Sequence, residues 1–479
     1  MNAKKKKVLF ILGGGAAALV LAVAVSALFF DINYYRPRIE AAVSGATGLE
    51  VRINGKMRLS FFPFGISAKD IRVANKGGEI ISLENLKLGA ELMPLLKKQL
   101  KITGCELVKP AVTIVKDADG KYNFESTEKK LTKGQMGVTF SLNKFKLSKG
   151  VIVYLNKKTL EKTEFKDFNL AIRGLSIEDI AADIIKNASF TGSFDCKEVR
   201  KGDLRIDNVK SPIKAEKGLI HLTPLTMDIF GAKAEGDATA DKSAADTVYK
   251  INLKISKLDF TKLEESFGAK KVIGGKGDIY ASLTMKKKGN RNLMSSIDGT
   301  FSLQGDNLVI YTMDLDTVLS KYETSQKFNL VDLGVFFIAG PLGTVALKGY
   351  RYGDVYHQAR WGQQGRITHF ISHWNIRDGV ADATDCALAT HHNRVALKGK
   401  LNLVSKRYDN VIVALLNDKG CAKFTQSISG PFGSPEISAV SAVGSLAEPI
   451  FDLYRKAKRI VQGGKCEVFY NGAVQQPPN

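Results

Sequence analysis

From Val51 to Phe61 the chain alternates without a break: Val51, Ile53, Gly55, Met57, Leu59 and Phe61 fall on one side, and Arg52, Asn54, Lys56, Arg58 and Ser60 on the other. A period of two sends successive side chains to opposite faces of a pleated strand, so the stretch predicts a strand with one apolar and one wet face. The pattern returns as Val138/Phe140/Leu142, Ile251/Leu253/Ile255, Ile279/Ala281/Leu283/Met285 and Val395/Leu397/Gly399/Leu401/Leu403. A mainly β chain is expected, built from strands that must each hide one face. Helical spacing is sparse: Tyr35–Ser44, Ser176–Ala188, Asp259–Phe267 and Asp314–Gln326 predict short peripheral helices. One phrase, apolar-x-Gly-x-apolar-x-apolar, occurs around Gly55, Gly299 and Gly399. Glycine on the apolar row weakens a strand, so its return points to a bend, a bulge or close backbone approach.

Ahead of the strands lies a run of a different kind. Lys4–Lys7 precede Val8–Phe30, 23 residues without a charge, closed by Asp31. As a helix rising about 1.5 Å per residue the run spans roughly 35 Å, enough for a hydrocarbon core of about 30 Å. A cleaved leader would end soon after Ala24-Val25-Ser26, but apolar Ala27–Phe30 follow, which favours an uncleaved transmembrane helix over residues 8–30. The positive-inside rule keeps residues 1–7 as a cytoplasmic lysine-rich tail and puts everything after Asp31 across the membrane. Lys plus Arg number 70 against 48 Asp plus Glu, a net +22, and most of that excess belongs to the translocated body. The partner it suggests is anionic lipid or acidic polysaccharide rather than nucleic acid. Near the other end, Leu446, Ile450, Leu453, Tyr454, Ala457, Ile460 and Val461 recur at helical steps, with Arg455, Lys456, Lys458 and Arg459 between them. They predict a basic amphipathic helix over 445–462, suited to an anionic membrane interface or to capping the β body, with residues 463–479 as a tail.

Reaction chemistry is scarce. There is no Gly-x-Ser-x-Gly elbow, no Walker A loop around Gly274-Gly275-Lys276-Gly277 and no His-Glu-x-x-His. His357, His369, His373, His391 and His392 gather near Cys386, and on a strand His369, Ile371 and His373 would share a face. Ordinary strand alternation around them argues against a metal site. Cys105, Cys196, Cys386, Cys421 and Cys466 are odd in number; in an oxidising compartment either Cys386–Cys421 or Cys421–Cys466 is a conceivable bridge. No catalytic residue, metal or cofactor is expected, and the chain reads as a non-enzyme.

Arg36-Pro37-Arg38-Ile39-Glu40, Ser44–Gly55, Leu59-Ser60-Phe61-Phe62-Pro63, Ile71–Asn75, Leu92–Leu96, Leu107–Pro110 and Asp119–Phe124 resemble, in that order, the opening module of the AsmA family of bacterial envelope proteins. Gly218–Leu225, Ile229–Ala232 and Leu293–Gly299 are similar to its central region, and Ile428–Glu436 to its closing strand. The family often has two Gly where Gly231-Ala232 stands, and Cys466–Gly472 has no counterpart we can assign. The resemblance implies an elongated, twisted antiparallel sheet curled into an apolar groove, with an N-terminal module over 31–125 and the groove continuing over 138–440. It also implies tethering to the inner membrane of a Gram-negative cell, a body in the periplasm, and phospholipid or another acyl lipid carried towards the outer membrane. The expected partners are that membrane through one helix and an outer-membrane or periplasmic protein.

The residues expected to line the groove are Val51, Ile53, Met57, Leu59, Phe61, Ile279, Leu283, Phe301, Leu303, Leu397, Leu401 and Leu403. On this reading lysine at Leu59 and Leu401 removes lipid and leaves the fold intact. The competing class is an assembly factor for outer-membrane proteins or envelope polymers, its apolar face closed as a sandwich core with no lipid cargo.

Overall fold

The computed structural model describes residues 31–61, 64–75, 78–91, 102–124, 140–178, 184–266, 273–287, 292–311, 364–432, 434–439 and 466–477, with a few isolated positions besides. Residues 8–30, 125–137 and 445–462, and with them the expected anchor, module boundary and basic helix, lie outside the described residues. Among the described residues no helix is long and apolar enough to cross a membrane. The chain divides into two compact units, the first ending at Gly202 and the second beginning at Asp203.

The first unit is a sheet. β1 (Glu50–Ile53) and β2 (Met57–Phe61) both pair antiparallel with β3 (Phe64–Asn75), which pairs with β4 (Gly78–Ala90). Beyond β4 come β5 (Ile102–Val108) and β6 (Ala111–Lys116), end to end, then β7 (Phe140–Asn156), β8 (Glu161–Ile177) and β9 (Ala188–Lys201). The sheet is mixed, not purely antiparallel as expected. β5 and β6 both run parallel to β7, and residues 117–139 supply the long connection that a parallel return needs. Of the helix expected over 176–188, residues 176–177 belong to β8, Ala188 opens β9, α2 (Ile184–Asn187) is helical, and residues 179–183 lie outside the described residues.

The expected single strand over 51–61 is two, broken at Asn54–Lys56. There Asn54 N and Gly55 N donate to Asp70 O and Lys69 O at 2.8 and 3.0 Å. Opposite the break Asp70 takes the left-handed conformation, φ 47°. Comparable left-handed residues sit at Lys149, Asp167, Asn208, Lys257, Asn307 and Asn410, several beside a shift of register. At Lys149, Asp167, Asn208, Lys257 and Asn410 the strand gains a residue over its neighbour, so that the apolar face resumes three positions on instead of two, Leu147 then Gly150 and Ile255 then Leu258, whereas at Asp70 β3 and β4 stay in step and the extra residue lies on the β1–β2 side. The loosened N–H groups are caught from the next strand, Lys149 N by Asn169 Oδ1 at 2.9 Å and Lys257 N by Asp278 Oδ1 at 2.7 Å. The recurring glycines belong to the same irregularity. Gly299 and Gly399 have φ of 135° and 133°, and a Cβ on Gly399 would lie 2.5 Å from Asn410 O, so no side chain fits where neighbouring backbones press together.

α1 (Arg36–Thr47), with Pro37 in its first turn and Gly48 left-handed at its C-cap, is the expected helix near the anchor. It closes the free edge of β1 and β2. Arg36 Nη2 donates to Gly55 O at 2.8 Å, Ile53 N donates to Glu40 Oε1 at 2.6 Å, and Val51 N donates to Ser44 Oγ at 3.0 Å. Four helical residues rise about 6 Å and two strand residues about 6.6 Å, so positions 36, 40 and 44 mesh with 55, 53 and 51 running the other way. Ahead of the helix, Asn33 brackets Met57, accepting its N–H at 2.9 Å and donating to its carbonyl at 3.2 Å. Side chains thus replace the missing neighbour strand. Glu40→Ala is expected to cost about 1–3 kcal/mol by stranding the Ile53 amide, with faster hydrogen exchange at Ile53 as the measurement.

The second unit begins with β10 (Leu204–Glu216), β11 (Leu219–Ile229), β12 (Ala232–Asp241) and β13 (Thr247–Asp259) as an antiparallel meander. α3 (Phe260–Ser266) and the two-residue β14 (Ile273–Gly274) lead to β15 (Lys276–Lys287) and β16 (Asp298–Ile310). β17 (Gly365–Arg377), β18 (Val380–Ala389), β19 (Arg394–Asn402), β20 (Arg407–Leu416) and β21 (Ala422–Pro431) follow, each antiparallel to its neighbour. Short β22 (Glu436–Ile437) and β23 (Ser441–Ala442) pair with β21. Of the helix expected over 314–326, residues 315–317 and 319 are described and helical.

One face of β18–β20 carries alanines, and the C-terminal tail docks on them. Ala387, Ala389, Ala396, Ala414 and Leu416 enclose Tyr470 and Val474. Tyr470 Oη donates to Asp385 Oδ1 at 2.5 Å, Arg394 Nη1 to Val474 O at 3.2 Å, and Cys421–Cys466 ties the tail's start to β21. Cys386 stays a buried free thiol, pushed up to about 12 by its burial, so of the two bridges open to the sequence the structure makes the second. Closing a loop of 45 residues is worth about 4 kcal/mol by chain entropy, and thermal unfolding with and without reductant is expected to show a loss of that order.

A half-covered apolar face as the candidate site

Register in the first unit lines up whole rows of apolar side chains. Val51, Val73, Ile81, Val112, Ile152, Phe165 and Val199 are successive cross-strand partners from β1 to β9. So are Leu59, Ile66, Leu88, Cys105, Phe145, Ile172 and Gly192. All fourteen are half-buried, none fully. Full burial is confined to a few places, chiefly the α1 end, where Ile32 joins Ile53, Met57, Ala68, Ile71 and Leu83 in one cluster. A sheet face that is apolar yet only half hidden leaves hydrophobic free energy unclaimed, at about 25 cal/mol per Å².

The reverse face is charged. Lys87, Glu106 and Lys146 face one another on adjacent strands at 3.0 and 3.5 Å, and Lys166 meets Glu198 at 2.9 Å. Lys87 chiefly, through its hydrogen bond, holds the Glu106 carboxyl below its ordinary value. Across the sheet, burial raises the Cys105 thiol. The same strand thus presents an ion-paired side and an oily side.

The second unit has the same rows but hides them. Ala234, Ile255, Ile279, Leu303, Ser372 and Cys386 form a cross-strand row that is buried throughout. Phe260 and Leu263 of α3, with Leu315 and Leu319, are each 0% exposed in the core that covers it. This divides the residues expected to line one groove. Val51, Ile53, Met57 and Leu59 do come together on the first unit's face, and Phe61 continues β2 in register with Phe64. Ile279, Leu303, Leu397 and Leu401 are core residues of the second unit, with Leu283, Phe301 and Leu403 packed against them. Lysine at Leu401, 4% exposed, would bury a charge and unfold the unit, so it cannot serve as a lipid-specific lesion. Arg455, Lys456, Lys458 and Arg459 lie outside the described residues. Leu88, Cys105, Phe145 and Ile172 were not singled out from sequence, although Phe168/Leu170/Ile172 alternates plainly.

The histidines do not converge. His369 pairs with Asp306 at an exposed position, the backbone amides of His391 and His392 donate to Asp316 at 3.3 Å, and His357 lies outside the described residues. Among the described residues no three His, Cys, Asp or Glu side chains could hold a metal ion.

Fold and site together define a β-sheet protein with one apolar face, closed in one unit and half open in the other. The family model that describes this class is the AsmA family, matching residues 4–195 and 139–386. The chain belongs to the AsmA family. No curated protein and no solved structure matches it.

Proposed function

We propose that this protein binds phospholipid acyl chains along the half-covered face of its first unit and supports lipid movement from the inner to the outer membrane. The observation carrying the reading is the pair of seven-residue apolar rows, half-buried at every position. Each methylene laid on such a row gains about 0.8 kcal/mol. Head groups stay in water beside a chain whose lysine and arginine outnumber its acidic residues by 70 to 48. Binding is passive, and the protein acts without catalysis. The charge-free run over 8–30 seats the chain in the inner membrane with its body in the periplasm. Support comes from Cys421–Cys466, since structural disulfides belong to oxidising compartments. A receiving partner is an outer-membrane or periplasmic protein.

Cys105 gives a direct test, because its half-buried thiol lies in the middle of a row. Phospholipid vesicles should slow its alkylation by a small apolar maleimide severalfold, while denatured protein reacts at one rate with or without lipid. Equal rates in the folded protein would remove lipid from this face.

A further inference from the structure

Charge is unevenly spread over the reverse face of the first unit. Arg58, Lys87 and Lys146 stand on β2, β4 and β7 in one cross-strand row, with Ser67 and Glu106 between them. Lys144 and Arg173 occupy the next row and are direct partners on β7 and β8. All five cations are exposed. Glu106 is the one carboxylate in the two rows, and Lys87 and Lys146 share it at 3.0 and 3.5 Å. Arg58, Lys144 and Arg173 have no carboxylate in ion-pair range among the described residues. Nearer the other end of the strands the cations of this face are matched: Arg52 pairs with Glu50, Arg72 lies 3.4 and 3.5 Å from Asp70 and Glu79, and Lys166 lies 2.9 Å from Glu198. Like charges directly opposite on neighbouring strands work against the pairing that holds them, so Lys144 and Arg173 weaken β7–β8 with no compensating ion pair among the described residues. The chain's net charge does not account for the patch, because the wet face of the second unit leans the other way. There, in the row from Asp237 to Asp409, the carboxylates Asp237, Asp382 and Asp409 outnumber Lys400.

Spacing narrows the partner. Arg58, Lys87 and Lys146 recur on every second strand, and at about 4.8 Å per strand they stand about 10 Å apart. On a flat 1,4-linked glycan alternate sugars turn over, so acid groups on one side recur once per disaccharide, close to that interval. An extended polypeptide presents same-side carboxylates about 7 Å apart instead. The bed between the cations is low, because Ser67 separates Arg58 from Lys87, and Gly89 and Gly104 precede Lys144 in its row; a sugar ring can approach the backbone there. We infer that this face binds an acidic polysaccharide, its acid groups set against Arg58, Lys87 and Lys146 and against the Lys144–Arg173 pair. The inference goes beyond the function proposed above and does not rest on it, since the apolar rows lie on the opposite side of the sheet.

The test uses the full chain in an uncharged detergent and a fluorescent oligomer of β-1,4-linked mannuronate, with binding read by anisotropy. Lys144→Gln/Arg173→Gln should weaken binding about tenfold, whereas Lys157→Gln/Lys158→Gln, which removes two exposed charges from the β7–β8 turn, should change it less than about twofold. The first variant should also melt no lower than the parent, because its opposed charges are gone. Equal losses in the two variants would reduce the effect to net charge and overturn the inference. So would polyglutamate that competes as well per carboxylate as unlabelled mannuronate, an outcome that assigns the face to an acidic protein. A lower melting temperature in the first variant would make the pair part of the fold and count against the site.

Discussion

Lysine at Leu88 and Ile172 together is expected to strip the protein of lipid while its melting temperature stays within a few degrees of the parent. Both side chains belong to the half-buried row that runs from Leu59 to Gly192. Each loses apolar contact worth about 1.5–3 kcal/mol to a bound chain, so affinity should fall by at least a hundredfold. The fold is spared because a lysine stem can lie along an apolar surface and carry its ammonium out to water. Lipid content by mass spectrometry, set beside thermal unfolding, separates the two effects. Parental lipid content in a folded double variant would count against the site.

The opposite pattern is expected in the second unit. Phe260→Ala should destabilise it by about 3–5 kcal/mol through the cavity it opens. Phe260 is 0% exposed, and its ring presses so closely on β15 that a Cβ at Gly277 would lie 2.5 Å from its Cζ. Urea unfolding followed by the emission of Trp374, 2% exposed in the same core, should show the midpoint move. A loss under about 1 kcal/mol would mean that α3 is not the lid of this core, and that the face beneath it is open to ligand as well.

Strand identity was legible in the sequence, because period-two alternation is a direct consequence of the pleat. It failed where the chain adds a residue. Lys149 and Lys257 look like polar interruptions, and only the partner strand shows that each is a bulge that keeps the next apolar residue on the same face. The opening phrase of the family was equally opaque. Arg36, Glu40 and Ser44 read as an ordinary helix face until Gly55, Ile53 and Val51 are seen opposite them. Alternation also cannot say whether an apolar row is covered. Leu59 and Leu401 carry the same local pattern, yet one is half-buried and the other is core. Leu401 belongs to a core that also holds Phe260, Leu263, Leu315 and Leu319, all distant from it in sequence. The docking of Tyr470 and Val474 on an alanine face had no earlier signal beyond the small size of the residues that receive them.

The central claim is that the first unit's apolar face holds acyl chains. It is tested most directly by mass spectrometry of lipid bound to the polypeptide from Asp31 onward, secreted to the periplasm and purified without detergent. The account predicts phospholipid at one molecule per chain or more, lost on Leu88→Lys/Ile172→Lys. A folded protein free of lipid would contradict it and leave the sheet as an assembly surface.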